Sequence, residues 1–243
     1  MQEARNIPKK LREALRPITL VVGHYGVGKT NFSVNLAVDL ANEGKQVTVV
    51  DLDVVNPYFR ASEQRRTLEE HGIELVAPVF AEAGSSLDVP SLTGKIAPAL
   101  ELANDERYVV VDVGGDDAGS VAVGRYARFI QDADYAMLAV MNRFRNLVQE
   151  PMDAVENLRE IEEASRLKAT AIVDNSHLKS VTDSEAIRLG FEYAEKVCEA
   201  AQLPLVAVTA PSHLAELSGS SLESFVKSEV FYPVKMYVRT PWE

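Results

Sequence analysis

Short apolar runs alternate with longer stretches of helical periodicity from Ile18 to Val208. This alternation is typical of βαβ units built around a parallel sheet. Several runs are continuous Val, Ile and Leu, as strands covered by helices on both faces require. The predicted strands are Ile18 to Val22, Gln46 to Asp51, Ile73 to Ala77, Tyr108 to Asp112, Tyr135 to Val140, Ala169 to Val173 and Leu205 to Val208. We therefore predict an α/β fold: a three-layer, doubly wound sandwich with a mostly parallel sheet.

Helical patterns occupy the intervals between these runs. One helix is predicted from Lys29 to Asn42, with Gly44 ending it. Another is predicted from Asp183 to Ala201, with Thr182 as its N-cap. Helices at such intervals supply the two outer layers of the sandwich.

The ends of the pattern are less regular. Residues 1–16 form a charged, helix-like extension, and Phe80 to Pro90 has the composition of a surface loop. Ser220 to Tyr232 predicts a helix, and Val234 to Val238 an added strand. Since no repeat and no long Pro, Gly or Ser linker divides the 243 residues, we predict a single domain over 1–243.

The charge balance restricts the partners of this chain. Lys and Arg total 25 against 36 Asp and Glu, which gives a net charge of -11. Such a surface repels phosphate backbones and anionic lipids, so we expect no nucleic-acid and no membrane partner.

The single cysteine, Cys198, cannot form an internal disulfide, which fits a reducing compartment. It shares a predicted helical face with Phe191, Ala194 and Val197, so we interpret it as a packing residue. No run is long and apolar enough to span a bilayer, and we expect a cytoplasmic protein.

A glycine-rich motif follows the first predicted strand. Gly23-His-Tyr-Gly-Val-Gly-Lys29-Thr30 matches G-x-x-x-x-G-K-S/T, with a strand before it and a helix after it. The pattern predicts a loop whose N–H groups surround phosphate oxygens, with Lys29 neutralising the β and γ oxygens and Thr30 ligating magnesium. The predicted nucleotide-binding residues here are Gly23, Gly26, Val27, Gly28, Lys29, Thr30 and Asn31. The alternative is a glycine turn with no ligand.

Acidic residues end two of the predicted strands. Asp112 is placed to hold the magnesium shell, and the Gly115 N–H to bond the γ-phosphate. One of Asp51 and Asp53 would complete the metal shell and the other would orient the attacking water; by position we assign the water to Asp53. Alternatively, a strand-end Asp caps the next helix. We thus predict Thr30, Asp51 and Asp112 around Mg²⁺, and Lys29 and Asp53 as catalytic.

From Ile18 to Asn175 the chain resembles the MinD/ParA/CobQ-type P-loop ATPases of the SIMIBI class, through GHYGVGKT, VVDLDVVNP, VVVDVGG and AIVDNS. The resemblance implies an ATPase whose first loop lysine reaches the partner's phosphates across a nucleotide-bridged homodimer. His24 and Tyr25 stand where that Lys-Gly pair is expected. Arg60, Arg143 or Arg145 could supply the missing charge, or each could be a solvated surface residue.

The resemblance also bears on the base. Asn175 lies where these families place an adenine-reading amide, and the chain lacks the N-K-x-D string that reads guanine. ATP is therefore the predicted nucleotide, while a simple turn residue is the alternative reading of Asn175.

Three functions are compatible with these residues. The first is an accessory or switch ATPase that releases or remodels an unidentified protein partner on hydrolysis. The second is an ATP-dependent small-molecule kinase or ligase, as in the dethiobiotin synthetase and cobyrinate amidase relatives. The third, a metal-delivery GTPase, is disfavoured because both a Cys/His cluster and the guanine motif are missing.

Overall fold

Strands form where the sequence carries its apolar runs. The computed structural model describes residues 7–53, 61–77, 94–115, 117–214, 222 and 224–238. In these residues the strands are β1 (Ile18–Val22), β2 (Gln46–Leu52), β3 (Glu74–Val76), β4 (Arg107–Val113), β5 (Tyr135–Met141), β6 (Ala171–Asp174), β7 (Leu205–Pro211) and β8 (Phe231–Val234).

Helices connect most of these strands. They are α1 (Lys9–Ala14), α2 (Lys29–Asn42), α3 (Arg65–Glu70), α4 (Ile96–Glu101), α5 (Asp117–Gly124), α6 (Ala127–Asp132), α7 (Pro151–Ser165) and α8 (Ser184–Ala201). Two 3₁₀ turns, Ala61–Gln64 and Lys179–Val181, precede α3 and α8 respectively.

The strand order of the described sheet is β3-β2-β4-β1-β5-β6-β7-β8, and every neighbouring pair is parallel. β1 lies between β4 and β5, with Ile18 opposite both Val109 and Tyr135. Because the strands are parallel, their carboxyl ends meet at one edge, which is where open α/β sheets bind ligands. The doubly wound α/β prediction is confirmed, although the sheet is parallel throughout rather than mostly parallel.

The core lies on both faces of this sheet. Every residue of β1 is buried, as a strand covered from both sides requires. α2 is buried over most of its length because β8 covers part of it as well. The ring of Tyr232 in β8 meets Phe32 edge-on at 6.0 Å, and its hydroxyl donates a 2.7 Å hydrogen bond to Asp39 Oδ2. These contacts dock the last described strand against the helix that follows β1.

Most predicted elements lie within one or two residues of the observed ones. α2 spans the predicted residues, and Gly44 follows its end in the left-handed conformation with φ 87°. The N-cap of α8 was misassigned, since Asp183 accepts the hydrogen bond from the Ala186 N–H at 2.8 Å. The Thr182 hydroxyl instead accepts a hydrogen bond from the Leu178 N–H and donates one to the Lys179 carbonyl oxygen. It is therefore engaged by the 3₁₀ turn that precedes α8.

The predictions beyond Val208 are wrong in part. Of the predicted helix over Ser220 to Tyr232, residues 224–230 form turns and bends, and Phe231 and Tyr232 belong to β8. The added strand ends at Val234 instead of Val238. Apolar contacts with α2 outweigh the local periodicity here, and an edge position tolerates a proline within the strand. The predicted loop from Phe80 to Pro90 lies outside the described residues, as do residues 1–6.

Cys198 is partly buried and packs against the core, as its helical position indicates. Burial raises the pKa of its thiol to about 12, and the nearby Asp174 adds to this shift. No helix in the described part of the chain combines the length and apolarity needed to cross a membrane.

Candidate functional site

The glycine loop joins β1 to α2 at the shared edge of the sheet. Gly28 is the N-cap of α2 in the left-handed region, with φ 95°. A Cβ atom at Gly28 would overlap the side-chain amide of Asn175, and one at Gly23 would overlap the Val140 carbonyl oxygen. Only glycine allows this close approach. The loop is therefore held tightly between α2 and the ends of β5 and β6.

Lys29 begins α2 and turns back over the loop. Its side chain is buried, and Nζ donates a 3.1 Å hydrogen bond to the His24 carbonyl oxygen. Gly115, which follows β4, lies against Lys29 and the glycine loop. A Cβ at Gly115 would be 2.6 Å from Lys29 Nζ and 2.7 Å from the Tyr25 backbone. The structure thus brings the predicted phosphate-binding lysine and the predicted γ-phosphate sensor together.

Asp112 connects α2 to β4. The Thr30 hydroxyl donates to Asp112 Oδ2 at 2.7 Å, and the Ser33 hydroxyl donates to Oδ1 at 3.0 Å. Burial raises the Asp112 pKa to about 7, with the charge of Asp51 adding to the shift and the bond from Thr30 opposing it. Asp51 is the direct partner of Asp112 across the β2–β4 pair. Two buried carboxylates side by side need a cation or a proton.

This donor set suits magnesium. Mg²⁺ prefers oxygen ligands, and in phosphate sites it relies on one or two protein oxygens completed by phosphate and water. Thr30, Asp51 and Asp112 supply oxygens of this kind beside the loop. Among the described residues no group of three or more His, Cys, Asp and Glu could hold a metal by itself.

Asp51 and Asp53 differ in their surroundings. Asp51 is fully buried, and its Oδ1 accepts a 3.0 Å hydrogen bond from the Asp53 N–H. Asp53 lies at the wall of the cleft beside the loop. The turn after β2 therefore keeps one carboxylate inside and presents the other to the cleft.

Asn175 fixes the loop to the neighbouring strands. Its side-chain N–H donates to the Val27 carbonyl oxygen at 2.7 Å, and its Oδ1 accepts from the Thr209 hydroxyl. An amide nitrogen has two N–H donors, of which Val27 takes one. Asn175, at the end of β6, therefore connects the glycine loop to β7. It also lines the cleft.

The arginines proposed to replace the loop lysine differ in their distance from the loop. The Arg145 side chain lies beside Gly26, where its Nε would be 3.7 Å from an added Cβ, and it lines the cleft. Arg143 instead donates to the Leu189 carbonyl oxygen at 3.1 Å and lies over the Phe144 ring. Arg60 lies outside the described residues. Arg145 is therefore the candidate cation that reaches the loop.

These groups surround one cleft of about 300 Å³, at the lower end of the usual range for small-molecule sites. Its lining consists of Tyr25, Gly26, Val27, Gly28, Lys29, Thr30, Asn31, Asp53, Asn142, Arg145, Asn175, His177, Lys179, Met236 and Val238. Most of the predicted loop residues, Asp53 and Asn175 are thus brought together, while Asp51 and Asp112 lie buried behind them.

Sequence reasoning missed part of this lining. His177 and Lys179 follow the carboxyl end of β6, so the rule that singled out Asp51 would also have found them. Burial lowers the His177 pKa to about 4, assisted by the charges of Arg145 and Lys179, so the ring is neutral. Met236 and Val238 carry no local signal, because they lie more than 200 residues from the loop they approach.

A glycine-rich loop that begins a helix at the carboxyl edge of a parallel sheet, with a buried Lys and a Thr bonded to a buried Asp, defines a P-loop nucleotide-binding protein. Residues 18–184 match the CobQ/CobB/MinD/ParA nucleotide binding domain, and the chain belongs to this family.

Solved structures agree with the fold. Cell division protein FtsY from Thermotoga maritima superposes with a TM-score of 0.51 at 18% identity, covering 77% of this chain and 59% of that one. FtsY from Mycoplasma mycoides gives a TM-score of 0.51 at 13% identity, covering 79% of this chain and 59% of that one. This chain therefore spans less than two thirds of these proteins, and the likeness concerns the fold. No curated protein sequence matches it significantly.

Proposed function

We propose that this chain binds Mg-ATP and hydrolyses it as a nucleotide-dependent switch or accessory ATPase. The observation that carries the proposal is the bond from the Thr30 hydroxyl to the buried Asp112, directly beside Lys29. This arrangement places one magnesium-binding hydroxyl, one carboxylate and one ammonium group at the start of the same helix.

The phosphate end of the site follows from the loop. Lys29 exchanges its bond to the His24 carbonyl for bonds to β- and γ-phosphate oxygens, which charge favours strongly. The N-terminus of α2 adds the positive end of its dipole. Magnesium, when bound, neutralises developing negative charge on these oxygens. Thr30, Asp112 and Asp51 are the residues that would hold the ion.

Asp53 is the residue proposed to orient the attacking water. Its position at the cleft wall supports this role, whereas Asp51 is enclosed in the sheet and bonded to the Asp53 N–H. A carboxylate that accepts a hydrogen bond from the attacking water would orient a lone pair of the water oxygen toward the γ-phosphorus.

Arg145 is proposed to supply in cis the positive charge that a loop lysine provides in related proteins. Its side chain already lies against Gly26. A guanidinium there faces the terminal phosphates whether or not a homodimer forms, and such a charge stabilises the transition state of phosphoryl transfer.

The switch would act through Gly115. Because Gly115 lies next to Lys29 and Tyr25, its N–H is near the proposed γ-phosphate position. Hydrolysis removes that acceptor and releases the segment after β4, which would change the surface offered to an unidentified protein partner. The second N–H of Asn175 can donate to a ring nitrogen of a purine, and the lack of an N-K-x-D string supports adenine over guanine.

Titration calorimetry with ATP and GTP, combined with a phosphate-release assay, tests this function. Lys29→Ala should weaken ATP binding by roughly 10- to 100-fold, because a charge-assisted bond is lost. Asp53→Ala should bind ATP normally and hydrolyse it slowly. The matched control is Lys45→Ala, since Lys45 pairs with Glu106 beside the opposite end of β2. Wild-type affinity in Lys29→Ala, or tighter binding of GTP than of ATP, would contradict the proposal.

A further inference from the structure

Two neighbouring loops flank one side of the cleft. Residues 142–149 follow β5 and residues 175–182 follow β6, and we call these two segments together the rim. The strands that carry them pair in parallel, so both loops leave the same edge of the sheet. The Arg143 N–H donates to the Ser176 hydroxyl oxygen at 3.0 Å, which joins the two loops near their start. The rim is therefore one surface, and part of it lines the cleft.

Large apolar side chains on the rim are exposed. Leu147 is 77% exposed, Val181 is 75% exposed and Leu178 is 43% exposed. Met152 is exposed in the first turn of α7, just after the first of the two loops. Half of the large apolar side chains that are exposed in the described residues thus lie on or next to these loops. Single exposed apolar residues are ordinary on a protein surface, but a concentration of them marks an interaction site.

Leu147 is exposed next to a firmly anchored residue. The Val148 side chain is buried, and its carbonyl oxygen accepts a 2.6 Å hydrogen bond from the Tyr193 hydroxyl. Leu147 itself has a φ of 70°, in the left-handed region that bulky residues rarely adopt. Neither the backbone strain nor the exposure of this leucine stabilises the isolated chain. Because strained positions concentrate at functional sites, we interpret Leu147 as a contact residue.

The rim is basic, although the protein is acidic. Its two segments contain Arg143, Arg145 and Lys179 but no Asp or Glu, whereas the whole chain has a net charge of -11. A basic surface attracts an acidic partner. In a two-fold dimer through this surface the two rims would face each other with like charges, which disfavours a second copy of the chain. Since nucleic acid would leave the apolar side chains uncovered, the rim suits an acidic protein segment with apolar residues.

We propose that the rim is the docking surface of an acidic protein partner, whose apolar residues cover Leu147, Leu178 and Val181. The coupling of this partner to the nucleotide rests on the proposed function. Arg145 is exposed on the rim and also lies against Gly26 in the glycine loop. A guanidinium that pairs with a carboxylate of the partner is drawn away from the γ-phosphate, so ATP and the partner weaken each other's binding. Hydrolysis, which removes the γ-phosphate, restores the affinity for the partner.

A synthetic peptide is the probe for this surface. It is a fluorescently labelled amphipathic helix of about 20 residues, with leucines on one face and glutamates on the other. Fluorescence anisotropy measures its binding to the wild type and to Leu147→Ser/Val181→Ser, which should bind it about tenfold more weakly. The matched control is Leu102→Ser/Val121→Ser, because these side chains are of the same types, are exposed and lie outside the rim.

Two altered peptides separate the charge from the apolar contact. One carries lysine in place of glutamate and the other carries serine in place of leucine, and both should bind the wild type about tenfold more weakly than the original. Equal binding of the lysine peptide would overturn the acidic partner. Undiminished binding to Leu147→Ser/Val181→Ser would overturn the docking surface. A wild-type dimer that this variant dissociates, measured by sedimentation, would overturn it as well, because a second copy would then occupy the rim.

Leu147→Gly tests whether the leucine stabilises its own chain. Glycine relieves the strain at a φ of 70°, so the melting temperature should not fall, while peptide binding should weaken several-fold. A melting temperature that falls by several degrees would show that Leu147 packs within the fold, and its role as a contact residue would be lost.

Nucleotide dependence gives an independent readout. A non-hydrolysable ATP analogue with magnesium should weaken peptide binding to the wild type several-fold, ADP should weaken it less, and Arg145→Ala should abolish the difference. Equal effects of the analogue and ADP on the wild type would overturn the coupling. If the wild type binds the peptide but calorimetry detects no ATP binding, the proposed function fails and the docking surface stands. If the wild type binds ATP but not the peptide, the docking surface alone fails.

Discussion

The Thr30 hydroxyl donates a 2.7 Å hydrogen bond to Oδ2 of Asp112, a residue 82 positions later in the chain. This bond joins the first turn of α2 to the carboxyl end of β4. Because Ser33 bonds the other oxygen of the same carboxylate, the Asp112 side chain is fixed from both sides. The start of α2 and the end of β4 are thus held together at the glycine loop.

Thr30→Val should retain the fold but abolish magnesium-dependent ATP turnover. The valine keeps the shape of threonine, but it removes the proposed metal ligand. It also removes a donor to buried Asp112, at a cost of about 1–3 kcal/mol in stability. Thr30→Ser keeps the hydroxyl and should retain most activity. A magnesium titration of ATP hydrolysis measures the difference, and equal activity of the two variants would exclude Thr30 from the metal site.

Gly28→Ala should damage the site far more than Gly44→Ala. Both positions have positive φ, 95° and 87°. A methyl group at Gly28 collides with the Asn175 amide, whereas at Gly44 nothing lies within 4 Å. Gly44→Ala should therefore cost only the backbone strain, about 1 kcal/mol, while Gly28→Ala should also abolish ATP binding. Thermal unfolding and calorimetry report the two effects, and similar behaviour of the two variants would refute the close contact.

Arg145→Ala should slow ATP hydrolysis by at least tenfold, since one cation beside the transferred phosphate is lost. Arg159→Ala, an exposed arginine on α7, is the control. Mixing Arg145→Ala with Lys29→Ala chains distinguishes the two arrangements. If Arg145 acts within its own chain, the mixture remains inactive. Recovery of activity on mixing would show that Arg145 reaches the nucleotide of a partner chain.

His177 should make the fold less stable in mild acid. Burial lowers its pKa from 6.5 to about 4, so between these values the unfolded chain binds a proton that the folded chain does not. The contribution of His177 to the free energy of unfolding should therefore fall as the pH drops from about 6.5 to about 4, by a few kcal/mol.

Other groups titrate in this range, so the variant His177→Gln isolates the contribution. Two buried carboxyl groups, those of Asp174 and Asp112, have pKa values that burial raises to about 6 and about 7, and they act in the opposite direction. In denaturant unfolding at several pH values, the free energy of unfolding of the wild type relative to that of His177→Gln should fall as the pH drops from about 6.5 to about 4. Parallel curves for the two proteins would show that His177 does not resist protonation.

Local sequence patterns predict most of the strands and the position of the glycine loop. The apolar runs predict the strands from β1 to β7, and the glycine motif predicts the loop at the start of α2. Both are encoded within short windows, where side-chain period and backbone conformation are set by neighbouring residues. The carboxyl-edge rule then selects Asp51, Asp53 and Asp112, because parallel strands bring their ends together whatever their order. Asn175 is implied by the family resemblance instead.

Tertiary structure decided the rest. The choice of Arg145 over Arg143 depends on which side chain the turn after β5 directs toward Gly26. The division of roles between Asp51 and Asp53 likewise depends on which carboxylate the sheet encloses.

The last wall of the cleft depends on contacts across most of the chain. Asn31 accepts hydrogen bonds from the Tyr237 and Val238 N–H groups, which lie more than 200 residues later in the chain. Neither segment has a sequence pattern that predicts this contact. The local pattern around Tyr232 indicated a helix, but Phe32 and Asp39 gave it a more favourable place in β8. The sequence alone thus determined the fold class and the glycine loop, because both depend on short-range patterns. Long-range packing determined which side chains complete the cleft, because it selects among segments that are locally equivalent.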